Sequence, residues 1–235
     1  MPAQGVATDW TKTSSPISSS ERAQKWEQVR KDREEREQRE KLEASGLPQR
    51  HIETAKDGRR WGVPGYQQSV AKAKTACEHG GMVALVGSRG TGKTQVAVEV
   101  AMAHSGTKSV RYVKSRVLGM HLREAFDNPK LTEREALEKW VRPHLLIVDD
   151  CHELADDKQY DRSMLTLLAD LRYDKCRPTL LIANVAVEKA GAMFGPSIAD
   201  RLNDGGGMIA FAGQSLRGAK RGKDQPERDG GAAKP

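Results

Sequence analysis

The chain has 235 residues, of which 39 are Lys or Arg and 32 are Asp or Glu, so its formal net charge is +7. It contains no run of 18 apolar residues, so we expect no membrane-spanning helix. Its first 20 residues lack the basic and apolar regions of a secretory signal. Three widely spaced cysteines fit neither a disulfide framework nor a zinc site, which favours a cytoplasmic protein. The modest positive charge permits a nucleic-acid partner without requiring one.

The N-terminal part is polar and charged. Residues 1–20 are rich in Ser, Thr and Pro, and we predict that they are disordered. Residues 21–43 hold eight acidic and eight basic residues, with several acid–base pairs four positions apart, which favours a solvated helix. We interpret residues 21–45 as a charged helix that is either a linker or a docking segment for a partner, with Trp26 as the candidate anchor. The Gly-Leu-Pro sequence at 46–48 ends it.

The rest of the chain alternates between strand and helix patterns. Five short apolar runs predict buried strands at 82–86, 110–113, 145–148, 179–183 and 208–211. Ser115 is placed to cap one intervening helix, and Thr132 with Glu135 forms a capping box for the next. This order predicts an α/β fold with a parallel sheet covered on both faces. The apolar content places the globular part at about 61–214, and residues 218–235 predict a flexible basic tail.

The strongest motif follows the first predicted strand and precedes a helical pattern. It fits G-x-x-x-x-G-K-[ST] at every position: Gly87, Ser88, Arg89, Gly90, Thr91, Gly92, Lys93 and Thr94. Its glycines let backbone N–H groups surround phosphates, Lys93 can reach the β- and γ-phosphates, and the Thr94 hydroxyl can bind Mg²⁺. The motif therefore predicts ATP and Mg²⁺ as cofactors.

Polar residues follow two later strands. Asp149 ends the third strand and is a candidate Mg²⁺ ligand. Asp150 stands where many hydrolytic P-loop proteins carry a glutamate that polarises the attacking water, and its shorter side chain predicts slow hydrolysis. Asn184 ends the fourth strand and can hydrogen-bond the γ-phosphate or the attacking water. Arg201 fits two roles: it faces a neighbouring subunit's γ-phosphate, or it is a helix-end arginine paired with Asp200.

Together these motifs resemble the AAA+ ATPases, specifically the DnaC-type helicase loaders and the IstB-type transposition helpers, over residues 46–217. The more specific part is RPTLLIAN at 177–184, IADRL at 198–202 and SLR at 215–217. The resemblance implies a P-loop three-layer sandwich with a five-stranded parallel sheet, preceded by a charged helical N-terminal extension. It assigns sensor 1 to Asn184, a trans-acting finger to Arg201 and sensor 2 to Arg217. The sequence departs from the family pattern at Ala183, Leu216 and residues 151–154.

The resemblance also implies a function. It indicates an ATP-dependent loader of the replicative helicase, with slow ATP hydrolysis regulated by the partner or by DNA. Residues 1–45 would bind the helicase, and an ATP-dependent oligomer would grip single-stranded DNA. Candidate DNA-contacting residues are Lys114, Arg116, His121 and Arg123, each of which also fits a solvated basic helix face.

Three other functions stay open on the sequence. An IstB-type transposition helper would share the same ATPase site, so the motifs do not separate it from a loader. A non-hydrolysing ATP-gated interaction protein is compatible with Asp150 in place of glutamate. A small-molecule kinase would need an acceptor pocket and an arginine-bearing lid, for which the sequence gives no sign.

Overall fold

The computed structural model describes residues 18–57, 65–106, 108–127, 132–154, 159–213 and 215–216. Nearly all of the predicted disordered N-terminus, the whole basic tail and Arg217 lie outside these residues. The chain forms two compact units that divide between Arg39 and Glu40, a few residues before the predicted boundary. In the described part, the first unit is the solvated beginning of helix α1 (Ser19–Ala44). Among the described residues, no helix is long and apolar enough to cross a membrane.

The second unit contains the last residues of α1 and all of the remaining elements. Its helices are α2 (Gln49–Lys56), α3 (Tyr66–Glu78), α4 (Lys93–Ser105), α5 (Ser115–Asp127), α6 (Glu133–Val141), α7 (Gln159–Asp174), α8 (Val187–Phe194) and α9 (Pro196–Gly205). Its strands are β1 (Met82–Gly87), β2 (Val110–Lys114), β3 (Leu145–Asp149), β4 (Thr179–Ala183) and β5 (Gly207–Phe211). All five predicted strands are confirmed, each within one residue of its expected bounds. The capping box of Thr132 and Glu135 is also present at the start of α6.

The five strands form one parallel sheet in the order β2-β3-β4-β1-β5. In this register Lys114 of β2 lies beside Asp149 of β3. The carboxyl end of β3 adjoins that of β4, and β4 adjoins β1, which leads into the glycine-rich loop. The topology therefore gathers the polar strand ends and the loop at one edge of the sheet, as expected for a ligand site in an open α/β fold.

Alternate residues of the buried strands feed two hydrophobic clusters, one on each face of the sheet. Ala84, Val86 and Val148 belong to the cluster that includes residues of α5 to α9. Val83 and Ile147 belong to the cluster that includes residues of α2, α3 and α4. The result is the predicted three-layer α/β sandwich.

The globular unit begins earlier than its apolar content suggests. Leu42, Leu47 and Ile52 are all buried in the second cluster. Between them, the carbonyl oxygen of Ser45 accepts a 2.7 Å hydrogen bond from the backbone N–H of Tyr112 on strand β2. The expected start at about residue 61 is therefore wrong, because the three core side chains stand singly in a mainly polar stretch of sequence and form no apolar run.

Arg172 ties together the ends of the sheet opposite the polar strand ends. It is fully buried on α7, and its guanidinium donates to the Thr179 hydroxyl at 2.8 Å. It also donates to five backbone carbonyls, those of Trp140, Val141, Pro143, His144 and Pro178. A buried cation is stable only when its donors are satisfied, and these carbonyls satisfy the guanidinium of Arg172. In return, Arg172 holds the segments that lead into β3 and β4.

Candidate functional site

The loop between β1 and α4 depends on glycine for its shape. Gly87 and Gly90 have φ angles of 139° and 83°. A Cβ atom at Gly87 would lie 2.1 Å from the carbonyl oxygen of Phe211, and one at Gly90 would lie 2.0 Å from the hydroxyl of Ser215. Only glycine fits in such a space with such a backbone. The loop can therefore turn its N–H groups toward a bound anion.

Lys93 places a positive charge at this loop. Its side chain is almost fully buried, and its ammonium donates to the carbonyl oxygens of Gly87 at 2.9 Å and Ser88 at 2.7 Å. Helix α4 begins at the same residue, so the positive end of its dipole adds to the charge of the ammonium group. A loop of this kind ahead of a helix N-terminus suits phosphate groups.

Thr94 and Asp149 form a pair of oxygen donors beside the loop. The Thr94 hydroxyl donates to Oδ2 of Asp149 at 3.0 Å, although the two residues are 55 positions apart. The other carboxylate oxygen, Oδ1, accepts the backbone N–H of Asp150 at 2.7 Å. Hydroxyl and carboxylate oxygens are the hard ligands that Mg²⁺ prefers. The residues present therefore fit a magnesium ion, which Thr94 and Asp149 would hold.

Tyr112 supplies a third contact to the same acid. Its phenol donates to Oδ2 of Asp149 at 2.7 Å. Burial, reinforced by the negative charge of Asp149, raises the pKa of Tyr112 far above its ordinary value. The phenol therefore keeps its proton and acts as a donor.

Asp150 lies in a network of its own. It has a left-handed backbone with a φ angle of 57°. Its Oδ1 accepts a 3.2 Å hydrogen bond from the Asn184 side-chain amide, and its Oδ2 lies 3.2 Å from the Lys114 ammonium. Nδ1 of His152 accepts the backbone N–H of Asn184 at 3.3 Å. Two hydrogen bonds thus join the ends of β3 and β4, and the ion pair joins the end of β3 to Lys114 of β2.

A cavity of about 640 Å³ opens in front of these groups. Its wall includes residues 89–94 of the loop together with Asp149, Asp150 and Asn184. Helix α2 supplies further lining through Arg50, His51 and Thr54. The volume lies within the range of small-molecule sites, so it can accept a nucleotide-sized ligand.

Helix α2 is hydrogen-bonded to α4, the helix that follows the glycine-rich loop. Nδ1 of His51 donates to the side-chain oxygen of Gln95 at 2.8 Å, and the Gln95 amide donates to the His51 carbonyl at 3.2 Å. Gln95 lies directly after Lys93 and Thr94 on α4. The segment that links the charged helix α1 to the domain is therefore part of the pocket wall.

Arg201 lies outside this cavity wall. It is on α9, where its guanidinium donates to the carbonyl and hydroxyl oxygens of Ser197 at 2.9 and 2.8 Å. It also forms a 3.0 Å ion pair with Asp170 and lies 5.4 Å from the ring centre of Tyr173. Its partner is thus Asp170 of α7, and the alternative pairing with Asp200 is wrong. Arg217, the predicted sensor 2 residue, lies outside the described residues.

The four candidate DNA-contacting residues all have partners within the protein. Lys114 contacts Asp150, and Arg116 lies 3.8 Å from Glu153. His121 stacks on the buried Trp140 ring with centroids 5.6 Å apart, and Arg123 pairs with the buried Asp161. The Arg116 and Lys114 side chains remain more than half exposed, at 66% and 58%. Fewer of the predicted side chains are therefore available to contact DNA than the sequence suggests.

Cys151 is a buried thiol beside the acids. It is 3% exposed, and its Sγ donates to the carbonyl oxygen of Val148. Burial raises the pKa of this thiol far above its ordinary value, which keeps it protonated and unreactive. A structural cysteine at a strand end, as the sequence favours, is the role that this environment supports.

Sequence reasoning missed three contributors to the site. The sequence assigns no role to Tyr112 or His152, and it predicts Lys114 only as a DNA contact. A usable signal existed for Tyr112 and Lys114, because period-two alternation places both on one face of β2. That β2 lies next to β3 is a property of the sheet order, which the sequence does not state. His152 left no such signal.

The fold and the site define an ATP-binding domain of the P-loop AAA+ class. A parallel sheet, a glycine-rich loop between β1 and α4, and paired acids at the end of β3, which β4 separates from β1, together support this assignment. The sequence profile of the IstB-like ATP binding protein family matches residues 7–224. The chain belongs to this family.

A curated relative comes from bacterial DNA replication. The replicative helicase loader DnaC of Escherichia coli strain K12 is 24% identical over 187 residues. The match covers 77% of this chain and 76% of the relative. The similarity thus extends over most of both proteins.

Solved structures show the same fold. A crystal structure of the DnaC helicase loader matches with a TM-score of 0.59 and 14% identity, covering 70% of this chain and all of that one. DnaI matches with a TM-score of 0.54 and 16% identity, covering 73% and 95%. AMPPCP-bound DnaA from Aquifex aeolicus matches at 0.56 and 19%, covering 65% of this chain and 48% of that one. The chain therefore spans about half the length of this DnaA structure.

Proposed function

We propose that this protein is an ATP-hydrolysing switch that loads a replicative DNA helicase onto single-stranded DNA. The observation that supports it best is the contact between Asn184 and Asp150 beside the Thr94–Asp149 pair, at the edge of a phosphate-binding loop. This arrangement brings a candidate metal site, an acid and a polar amide to one cavity. The relation to DnaC gives the switch its proposed partner.

In this proposal each residue of the site has a chemical task. The loop amides and Lys93 bind the phosphates of ATP, and Thr94 with Asp149 holds Mg²⁺. The bound ion would neutralise charge on the β- and γ-phosphates. Asp150 orients the attacking water and accepts its proton, while Asn184 fixes that carboxylate and contacts the γ-phosphate. Asp150 is one methylene shorter than glutamate, so we expect slow turnover.

Arg201 and Arg217 complete the proposed machinery. Because Arg201 lies on α9 away from the cavity wall, we propose that it serves the nucleotide of a neighbouring subunit in an ATP-dependent oligomer. It would exchange its contact with Asp170 for the γ-phosphate, where it stabilises transition-state charge. Arg217 is proposed as the sensor 2 residue.

Lys114 offers a physical link between DNA and hydrolysis. It neutralises Asp150 at 3.2 Å, yet its side chain is 58% exposed. A DNA phosphate bound where β2 ends and α5 begins would compete with Asp150 for the Lys114 ammonium group. Arg116, in the first turn of α5, would be a second contact to that phosphate. We propose that this competition frees Asp150 and so couples single-stranded DNA binding to turnover.

The charged helix α1 is the proposed docking segment for the helicase. Trp26 is 72% exposed and Val29 is 49% exposed on an otherwise charged surface. Exposed aromatic side chains are frequent anchors of protein interfaces. We therefore propose residues 1–45 as the partner-binding region, residues 46–217 as the ATPase domain and residues 218–235 as a basic tail.

The second candidate is an ATP-dependent helper that delivers a transposase to DNA. The chain belongs to the IstB-like ATP binding protein family, and this membership favours the second candidate. The same ATPase site would serve both functions. A helicase and a transposase from one host can be tested side by side for capture by the protein with ATP. Capture of the transposase alone would replace the loader proposal with this one.

Helicase loading onto DNA tests the proposal directly. A circular single-stranded DNA coated with its binding protein is incubated with helicase, ATP and either wild type or Lys93→Ala. We expect helicase on the DNA only with wild type. Lys175→Ala, which alters a lysine paired with Glu138 away from the cavity, is the matched control and should load normally. Loading by Lys93→Ala at the wild-type level would refute the proposal.

A further inference from the structure

Tyr112 is held in place from both sides of its strand. On one side β2 pairs with β3. On the other side the backbone N–H of Tyr112 donates to the carbonyl of Ser45, which is 1% exposed, at 2.7 Å. Arg111 adds a 2.9 Å hydrogen bond to the Ala44 carbonyl. The backbone that carries the Tyr112 phenol is therefore held in position on both sides.

The phenol reaches the carboxylate that the proposed function assigns to magnesium. Oδ2 of Asp149 accepts from Tyr112 at 2.7 Å and from Thr94 at 3.0 Å, while Oδ1 accepts from the backbone of Asp150 at 2.7 Å. Three donors thus fix the position of one carboxylate. Asp149 is 5% exposed, so water contributes little to its placement.

The donors differ in what a bound metal does to them. The Thr94 hydroxyl would present its oxygen to the ion, and it then no longer holds Asp149 in the same way. The Asp150 amide fixes Oδ1 through a local turn. The Tyr112 phenol is not assigned to the ion in this proposal, so its hydrogen bond to Oδ2 would remain when the ion binds.

We propose that Tyr112 is a positioning residue for the magnesium site, which holds the Asp149 carboxylate in the orientation that the metal requires. The inference rests on the proposed function, because it assumes that Thr94 and Asp149 bind Mg²⁺ with ATP. Groups that orient a metal ligand commonly change metal affinity by ten- to a hundredfold when removed.

The experiment measures binding and needs no turnover. Mg²⁺ is titrated into the full-length protein at a fixed concentration of AMPPCP, a non-hydrolysable ATP analogue, and the Mg²⁺ concentration at half-maximal tightening is recorded. Tyr112→Phe keeps the ring and removes only the hydroxyl. We expect its Mg²⁺ midpoint to rise about tenfold, while AMPPCP affinity in EDTA stays at the wild-type value.

Tyr66→Phe is the matched control. Tyr66 is also buried, and its hydroxyl donates to Glu99 at 2.9 Å, a carboxylate that plays no part in the proposed site. We expect Tyr66→Phe to keep the wild-type Mg²⁺ midpoint even where its thermal stability falls. A purely structural hydroxyl at 112 would behave in the same way.

The outcomes separate the two proposals. If wild type shows Mg²⁺-dependent binding and Tyr112→Phe has the same midpoint, the role of Tyr112 is wrong and the ATPase proposal stands. If wild type binds AMPPCP equally well in EDTA and in Mg²⁺, the metal site itself is wrong, and both proposals fall. An equal rise of the midpoint in both Phe variants would also overturn the role of Tyr112.

Discussion

The Asn184 side-chain amide donates a 3.2 Å hydrogen bond to Oδ1 of Asp150, joining the ends of β4 and β3. A carboxylate held in this way has a defined direction from which to act on water.

Removing either partner of this contact should slow ATP turnover without weakening ATP binding. Asp150→Asn keeps the shape and removes the base, so we expect turnover to fall about a hundredfold. Asn184→Ala should lower it by a similar factor, because the carboxylate loses its orientation. Nucleotide affinity, measured by titration calorimetry, should stay within about threefold of wild type. A large loss of affinity with unchanged turnover would exclude this division of roles.

Lys114→Met should uncouple turnover from DNA. Because the ammonium no longer neutralises Asp150, we expect turnover without DNA to rise several-fold and single-stranded DNA to add little further. Phosphate release at several DNA concentrations provides the measurement. Lys175→Met removes a lysine that pairs with Glu138 instead and should retain the wild-type response. A Lys114→Met protein with normal basal turnover and normal stimulation would contradict the coupling.

Arg172→Met should destabilise the fold by about 3–5 kcal/mol, because five backbone carbonyls, four of them in buried contacts, lose their common donor. Urea unfolding followed by circular dichroism measures the free energy. Arg111→Met, which removes an exposed guanidinium bonded to one carbonyl, should cost under about 1 kcal/mol. Equal losses in the two variants would mean that the hydrogen bonds of Arg172 do not stabilise the segments that lead into β3 and β4.

Acid should weaken the fold through His144. Burial lowers its pKa below the ordinary value, and the charges of Lys108, His104, Arg172 and Arg177 act in the same direction. The unfolded chain then binds a proton more tightly than the folded one. The contribution of His144 to the free energy of unfolding is therefore fully present above the unfolded pKa of about 6.5. It is lost as the pH falls below that value.

Thermal unfolding between pH 7.5 and 5 checks this effect. His144→Gln should show a shallower decline than wild type. His79→Gln, which changes an exposed histidine, should keep the wild-type slope. The same slope in all three proteins would remove His144 as the cause.

Much of the fold could be predicted because its signals are local. Continuous apolar runs such as 145–148 mark strands buried on both faces, and the spacing of Gly87, Gly92 and Lys93 is set by the geometry of phosphate binding. Asp149 and Asp150 follow directly from the strand that carries them. These features need no knowledge of how the strands are ordered.

The remaining features depend on long-range neighbours. Lys114 and Tyr112 reach the acids only because β2 lies beside β3. The order of strands in a sheet cannot be predicted from local sequence pattern. Leu42, Leu47 and Ile52 are too widely spaced among polar residues to predict a core. The pairing of Arg201 with Asp170 likewise joins two helices that are distant in sequence.

Phosphate release from Mg·ATP by mixtures of subunits tests the central claim most directly. Lys93→Ala and Arg201→Ala are assayed alone and mixed, with and without single-stranded DNA, beside wild type. We expect each variant alone to be inactive and the mixture to recover part of the wild-type rate, because one variant supplies Arg201 to the intact nucleotide site of the other. Wild type that binds ATP and releases no phosphate with DNA and helicase present, or release that persists in Lys93→Ala, would contradict the ATPase switch.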